Sequence, residues 1–167
     1  YDLLQAGATL RVERRLKWPD DFFYVQRIFR YQYNNVIEGQ NYYKEGVFNQ
    51  FSVGALISRK NIDNPIFPSN GTSLQLDVEL SGGRFLPGDV DYLKINFLTE
   101  WYRRLFNSNR VALYTIANVG YLDEIVQGTN IQPFEFFYMG GNGLVIATTA
   151  LRGYDDRTVG PKDPKTG

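Results

Sequence analysis

Residues 73–81 read Ser-Leu-Gln-Leu-Asp-Val-Glu-Leu-Ser, so polar and apolar side chains alternate along the whole stretch. Because successive side chains of an extended chain point to opposite faces, this pattern predicts a β-strand with one apolar and one polar face. The apolar face consists of Leu74, Leu76, Val78 and Leu80. An amphipathic helix would instead repeat its apolar residues three and four positions apart. The stretch therefore predicts an all-β fold.

The same alternation recurs on both sides of this stretch. The other alternating segments are residues 3–14, 22–33, 48–59, 92–104 and 110–122. Most are about twice as long as the usual globular strand of five to six residues. At about 3.3 Å per residue and a tilt near 45°, such strands cover about 25 Å, the height of the apolar band of an outer-membrane barrel.

The connections between the segments alternate between two kinds. Compact connections with turn residues span 15–21, 60–72 and 105–109, and longer, Gly-rich or polar ones span 34–47, 82–91 and the chain after 123. Tight turns alternating with larger loops are typical of a membrane barrel. A soluble β-sandwich also alternates and is the competing interpretation. The strand length, and a polar face that carries both charge signs, favour the barrel.

Composition removes several classes of function. The 167 residues include 18 Lys and Arg, 18 Asp and Glu, no Cys and no His. Nucleic-acid binding needs a surplus of cations, which this chain lacks. Without Cys and His there are no thiolate zinc sites, Ser–His or Cys–His pairs, or His bases. We therefore expect no catalytic or zinc site built on Cys or His, and we expect the Asp20-Asp21 and Asp155-Asp156 pairs to be solvated rather than to bind a cation.

Membrane geometry constrains the interpretation further. No run of 18 apolar residues is present, so no transmembrane helix is expected. Six strands are fewer than the roughly eight that close a membrane barrel, and unpaired strand edges in lipid are prohibitively costly. We therefore expect the chain to be an excerpt of a longer protein, or one of several copies that share a barrel.

One residue fits the alternation poorly. Arg27 falls on the apolar face near the middle of the second segment, where a lipid-exposed Arg costs about 2–4 kcal/mol. Shifting the register exposes Arg30 instead. A bulge between Tyr24 and Ile28, or snorkelling of the Arg27 side chain towards the interface, would each explain the position. The pattern alone leaves both explanations open.

Four stretches carry a resemblance to a known family. One of them, residues 16–23, reads Leu-Lys-Trp-Pro-Asp-Asp-Phe-Phe. Residues 134–143 read Phe-Glu-Phe-Phe-Tyr-Met-Gly-Gly-Asn-Gly, with the turn at Gly140-Gly141, and residues 151–161 read Leu-Arg-Gly-Tyr-Asp-Asp-Arg-Thr-Val-Gly-Pro. Residues 63–72 form a Pro-rich turn that contains Phe67, Pro68 and Gly71. In order and spacing, over essentially its whole length, the chain resembles the BamA family, the barrel subunits of the bacterial outer-membrane protein insertase superfamily.

This resemblance implies a fold and a location. The fold would be a transmembrane antiparallel up-and-down β-barrel of sixteen strands in the bacterial outer membrane. Residues 1–122 would supply strands six to eleven, and residues 123–167 the long extracellular loop that folds into the barrel lumen. The compact turns, with Phe67, Pro68 and Gly71 in one of them, would face the periplasm.

The resemblance also implies a function without nucleotide or cofactor: assisting the folding and insertion of other β-barrel proteins. The implied partners are unfolded β-barrel substrates, the periplasmic POTRA domains and remaining strands of the same protein, accessory lipoproteins and outer-membrane lipid. A polypeptide translocator of the two-partner secretion type and a passive porin are the alternatives.

Arg152, Gly153 and Tyr154 form the candidate functional motif. Arg152 offers a rigid fork of donors and stays charged at any working pH. Gly153 permits backbone angles that a side chain would forbid, and Tyr154 adds an amphipathic ring. We expect the motif to fold into the lumen and pair with a wall carboxylate.

The partner of Arg152 is open at this point. The resemblance implies an acid from strands that follow this loop and lie outside the chain. Asp77, Glu79 and Glu100 are other acids on the polar face. The competing interpretation is a local turn in which Arg152 pairs with Asp155 or Asp156.

Overall fold

The computed structural model describes most of the chain in two compact units, residues 1–130 and 131–167. The described residues are 2–38, 45–83, 86–106, 111–126, 131, 135–140, 148–149, 151, 153–155 and 159. No helix among them is long and apolar enough to cross a membrane.

The first unit is a meander of six long antiparallel strands. They are β1 (Asp2–Arg15), β2 (Phe23–Glu38), β3 (Gly46–Ile62), β4 (Gly71–Ser81), β5 (Tyr92–Arg104) and β6 (Ala112–Asp123). The strands follow one another in a single sheet in chain order. The all-β fold is thereby confirmed, and each predicted strand is present.

The bounds predicted for the loop at 34–47 are wrong at both ends. β2 continues to Glu38 and β3 begins at Gly46, so the two strands form a hairpin of 16 and 17 residues. The register pairs Asn35 with Val47 and Val36 with Gly46. Side-chain alternation fades there while the backbone ladder continues, so the sequence pattern ends before the strands do.

An unbroken register assigns each side chain to one of two faces. In all five strand pairs the pairing is regular, apart from one shift between Asp2 and Leu3. Paired residues share a face, and successive residues alternate. We call the face that carries Leu10, Val53, Leu76, Phe97 and Val119 the outer face, and the opposite face the lumenal face.

The two faces are buried in the reverse sense to those of a soluble protein. Many large outer-face side chains are exposed, with Leu10 62% and Val119 63% accessible, although those of β4 are half-buried. Several polar lumenal side chains are buried, with Asn34 and Gln50 fully inaccessible. The described residues of this unit form one sheet, which excludes a two-sheet sandwich with a dry interior. An apolar exterior and a polar interior are the properties of a membrane barrel wall.

Arg27 lies in regular strand on the outer face. The register places it between Val12 of β1 and Ala55 of β3, and pairing runs without a shift on both sides. The bulge considered between Tyr24 and Ile28 is therefore wrong. The Arg27 side chain is exposed, which is compatible with snorkelling along the outer face.

The sheet has two open edges. β1 and β6 are its terminal strands, and within the described residues neither pairs with a further strand on its outer side. Since an open edge in hydrocarbon leaves a row of backbone groups without partners, both edges must meet other strands in a membrane. The unit is thus an incomplete wall of a β-barrel.

The second unit contains a small sheet of its own. β7 (Tyr138–Met139) pairs in parallel with β8 (Thr148–Thr149), and Met139 forms an antiparallel bridge with Val159. The predicted loop of residues 123–167 therefore contains local β-structure. The candidate motif at 152–154 lies between β8 and this bridge along the chain.

Candidate functional site

A chain of hydrogen bonds crosses four strands on the lumenal face. Arg30 of β2 donates from Nη1 to Oε1 of Glu79 in β4 at 3.1 Å, forming an ion pair. The Tyr92 hydroxyl of β5 donates to the same oxygen at 3.1 Å. Gln50 of β3 donates from Nε2 to the Tyr92 hydroxyl at 2.8 Å. We call these four residues the lumenal network, because one residue from each strand joins it.

Small residues of β3 make room for the Arg30–Glu79 pair. The register places Ser52 beside Arg30 and Gly54 beside Glu79, both on the lumenal face. No long side chain therefore stands between the guanidinium and a carboxylate two strands away. Charge-assisted hydrogen bonds of this kind are stronger than neutral ones. The network ties the strands together independently of the backbone ladder.

The three predicted lumenal acids differ in their surroundings. Glu79 belongs to the lumenal network. Glu100 accepts a hydrogen bond from the Tyr114 hydroxyl at 2.8 Å. Asp77 lies on the same face, paired in register with Leu56 and Asn96. The sequence correctly places all three acids on the lumenal face, and two of them already accept hydrogen bonds within this chain.

The candidate motif is described in part. Arg152 and Gly141 lie outside the described residues. The Tyr154 amide donates to the Leu151 carbonyl at 3.3 Å, which closes a four-residue turn. Gly153 has a φ of +88°, as the third position of a type II turn requires, and an added Cβ would meet nothing within 4 Å. The glycine is therefore demanded by backbone conformation and not by close packing.

The other residues of this loop are placed as follows. Tyr154 is 56% exposed, so its ring is not packed into an apolar core. Gly140 is buried and has a φ of +122°, a backbone angle that favours glycine. The predicted turn at Gly140-Gly141 lies partly outside the described residues. Phe136 and Tyr138 form an edge-to-face pair with centroids 6.5 Å apart. Aromatic packing thus precedes Gly140 along the chain of the second unit.

The turn between β3 and β4 is organised by Asp63. Its carboxylate accepts hydrogen bonds from the Ser69 hydroxyl and amide and from the Asn70 amide. Arg104 at the end of β5 donates from Nη2 to the same carboxylate at 2.9 Å and from Nε to the Ser69 hydroxyl at 2.8 Å. The Ser69 hydroxyl, followed by Arg104 and the two amides, lowers the pKa of Asp63 below its ordinary value.

The predicted turn residues occupy the tip and the end of this turn. Phe67 is 80% exposed, and Pro68 is half-buried beside it. Gly71 has a φ of +126°, and a Cβ there would lie 2.1 Å from the Asn61 carbonyl oxygen. Gly71 is therefore needed both for its backbone angle and for the close approach of two strands.

A third ion pair stabilises the turn between β1 and β2. Arg59 of β3 donates from Nε and Nη2 to Oδ2 of Asp20 at 2.9 and 2.8 Å. Its guanidinium also lies 5.9 and 5.7 Å from the ring centroids of Phe22 and Phe23. Partial desolvation raises the pKa of Asp20, but the Phe22 amide and Arg59 outweigh it and lower the pKa overall. The expectation that Asp20 is merely solvated is wrong.

The connection between β4 and β5 is pinned to β3. Asn49 and Asp89 exchange hydrogen bonds, from the Asp89 amide to the Asn49 carbonyl at 2.8 Å and from the Asn49 amide to Asp89 Oδ2 at 2.9 Å. The Ser81 hydroxyl donates to the Val90 carbonyl at 3.0 Å. Val90 is completely buried. The described part of the 82–91 loop is thus a fixed extension of the wall.

No cluster of three acidic, His or Cys residues suited to a metal ion occurs among the residues that the structure describes. The polar groups that converge are Arg, Glu, Tyr and Gln of the lumenal network, which hold one another. The arrangement suits a rigid, hydrated interior surface.

Comparisons with known proteins agree with this geometry. Residues 1–167 match the family model described as the Omp85 superfamily domain. The chain is also similar to a SAM50-like protein of Schizosaccharomyces pombe, with 27% identity over 166 residues. This alignment covers 98% of the chain and 34% of the relative. The chain therefore spans about a third of the length of the curated relative that it matches.

Proposed function

The chain belongs to the Omp85 superfamily, and we propose that it is part of the barrel of an outer-membrane assembly factor that helps other β-barrel proteins fold and insert. The observation that carries the proposal is the family match over residues 1–167, in a chain whose six-stranded sheet exposes many large apolar side chains on its outer face. The similarity to a SAM50-like protein supports the same general kind of protein.

In this proposal the described residues build the wall and not the site where substrates pair. Substrate strands would add to an exposed strand edge elsewhere in the full-length barrel, through main-chain hydrogen bonds. The lumenal network would keep the wall rigid while such an edge opens. The protein would work without nucleotide, metal or cofactor and would not be an enzyme, which agrees with a chain that has no Cys and no His.

We assign Arg152, Gly153 and Tyr154 to a loop motif that enters the lumen. The turn at Leu151–Tyr154 and the φ of Gly153 support a motif held in a defined conformation. On the family resemblance, the acid that pairs with Arg152 would come from the remaining strands of the protein. Glu79 and Glu100 already accept hydrogen bonds within this chain.

The proposed membrane is the bacterial outer membrane, and the proposed closer relationship is to the BamA family. The order and spacing of the 134–143 and 151–161 motifs support this. The partners would be unfolded β-barrel substrates, periplasmic POTRA domains, accessory lipoproteins and lipid. The SAM50-like relative comes from a yeast, so the mitochondrial outer membrane is the alternative location. Fractionation of the source cells distinguishes the two.

Replacement of Arg152 in the full-length protein tests the proposal. We expect Arg152→Ala and Arg152→Glu to reduce assembly of a substrate barrel in proteoliposomes, measured by its resistance to protease. Arg157→Ala, in the same loop, is the matched control and should retain assembly. Undiminished assembly by both Arg152 variants would refute the role of the motif. A wild-type protein that assembles no substrate but conducts a large steady current would indicate a porin, and export of one polypeptide would indicate a translocator.

A further inference from the structure

Charge is distributed unevenly along the outer face. Among strand residues with described side chains, its cations are Arg14, Arg27, Arg59 and Arg103, and its only acid is Asp123. All four cations lie in the halves of their strands nearest the short turns. Asp123 lies at the opposite end, where β6 leads into the long loop. The chain is neutral overall, but the turn side of its outer face is cationic.

Two of these arginines are neighbours. The register pairs Arg14 with Val25 and Val12 with Arg27, so Arg14 and Arg27 occupy diagonal positions on β1 and β2. Diagonal residues on one face of an antiparallel pair are about 7–8 Å apart. Both side chains are exposed. Two flexible guanidinium groups at this separation can reach a single anion.

Within the described part of the chain, no carboxylate serves as the counter-ion of this pair. Arg59 is held by Asp20, whereas neither Arg14 nor Arg27 forms an ion pair with any described carboxylate. Two like charges side by side repel each other, and an apolar face in lipid offers them little solvation. A counter-ion that arrives from the lipid side would remove both penalties.

The surroundings specify what kind of anion fits. Leu10, Val12, Val25 and Phe29 surround the two arginines on the outer face, and Leu10, Val12 and Phe29 are exposed. A ligand with an anionic head and apolar chains matches this surface, whereas a free anion would gain nothing from the apolar residues. We propose that Arg14 and Arg27 form a binding site for the phosphate of a phospholipid in the leaflet on the turn side.

Arg27 lies near the turn-side end of its strand. It is four residues inside β2, which is about 13 Å along a strand. A long side chain can cover part of such a distance by snorkelling. The bound phosphate would therefore lie towards the turn side of the outer face.

Lipid binding by the full-length protein tests this site. Native mass spectrometry in detergent, with increasing phosphatidylglycerol, measures affinity for wild type, Arg14→Gln, Arg27→Gln and the double variant. A cation near an anionic lipid surface contributes about 1 kcal/mol, so we expect about a fivefold loss per arginine. Arg27→Lys should retain most of the affinity. Arg11→Gln is the matched control, because Arg11 lies on β1 but on the lumenal face. Heat-modifiable migration on gels verifies that each variant is folded.

Several outcomes would overturn the proposal. Unchanged phosphatidylglycerol affinity in the folded double variant, or an equal loss in Arg11→Gln, would show that these two arginines do not form the site. Equally tight binding of diacylglycerol, which lacks the phosphate, would show that the phosphate is not recognised. Displacement of the lipid by millimolar inorganic phosphate would show that the apolar chains contribute nothing. The site depends on the outer face lying in lipid and not on the proposed function. A double variant that binds less lipid yet assembles substrates normally would support the site and leave the assembly proposal intact.

Discussion

The lumenal network allows a quantitative test by a double-mutant cycle on Arg30 and Glu79. The variants are Arg30→Gln, Glu79→Gln and the combination, in the full-length protein. Glutamine keeps the approximate size of each side chain and removes its charge. In Glu79→Gln the amide oxygen still offers an acceptor to Tyr92 and to Arg30. The cycle therefore isolates the charge component of the Arg30–Glu79 pair, whose atoms are 3.1 Å apart.

The expected coupling energy follows from the surroundings of the pair. The side chains of Arg30 and Glu79 are only 28% and 15% exposed, so solvent screens them less than a surface pair. Hydrogen bonds to charged groups contribute about 1.5–3 kcal/mol, and a water-filled lumen reduces this value. We expect each single variant to lower the free energy of unfolding by about 2 kcal/mol, with a coupling energy of about 1 kcal/mol.

Equilibrium unfolding in urea, with the protein folded into lipid vesicles and followed by tryptophan fluorescence, measures these energies. Glu13 and Gln26 provide a matched control, because they form an exposed lumenal hydrogen bond at 3.3 Å. Glu13→Gln should change stability by less than about 0.5 kcal/mol. A coupling energy for Arg30 and Glu79 that is no larger than about 0.3 kcal/mol would refute the argument that the network ties the strands together.

Further predictions concern the turns. Gly71→Ala should destabilise the protein by about 3 kcal/mol or more, because its Cβ would clash with the Asn61 carbonyl at a φ of +126°. Gly153→Ala, in open space at a φ of +88°, should lose only the backbone cost of about 1 kcal/mol. Urea unfolding compares the two variants, and similar losses would contradict the role of close approach. The lowered pKa of Asp63 means that its turn contributes stability above the unfolded-state pKa of 3.8, and that this contribution disappears as the pH falls through the folded-state pKa. The stability difference between wild type and Asp63→Ala should accordingly shrink below about pH 4, and a difference that stays constant to pH 2 would show that the carboxylate charge is unimportant.

The strands could be predicted because a barrel wall imposes alternation on its sequence. β4 and β5 were bounded closely, since each residue there faces either lipid or lumen. The β2–β3 hairpin was underestimated because residues such as Asn34 and Asn35 continue the ladder without an apolar face. Alternation reports the environment of the side chains, and the backbone pairing extends beyond it.

The contacts between distant residues could not be predicted in the same way. Arg30 and Glu79 are 49 residues apart, and Arg59 and Asp20 are 39 apart, so their meeting depends on register, which local pattern does not fix. The role of Asp63 in its turn was easier to predict from the sequence than these ion pairs. The Pro65, Ser69 and Asn70 that follow it are turn residues, and an Asp at the start of such a turn often accepts amide hydrogen bonds.

Among the described residues, the outer sides of β1 and β6 each present a row of unpaired backbone N–H and C=O groups. A globular domain can satisfy its backbone alone, but this segment can do so only as one arc of a closed ring. The stability of the sheet in a membrane consequently depends on closure of the whole barrel. Loosening β1 or β6 would also destabilise the strands that pair with their outer sides. In such a protein the edge strands do not have all of their backbone hydrogen bonds until the barrel is closed.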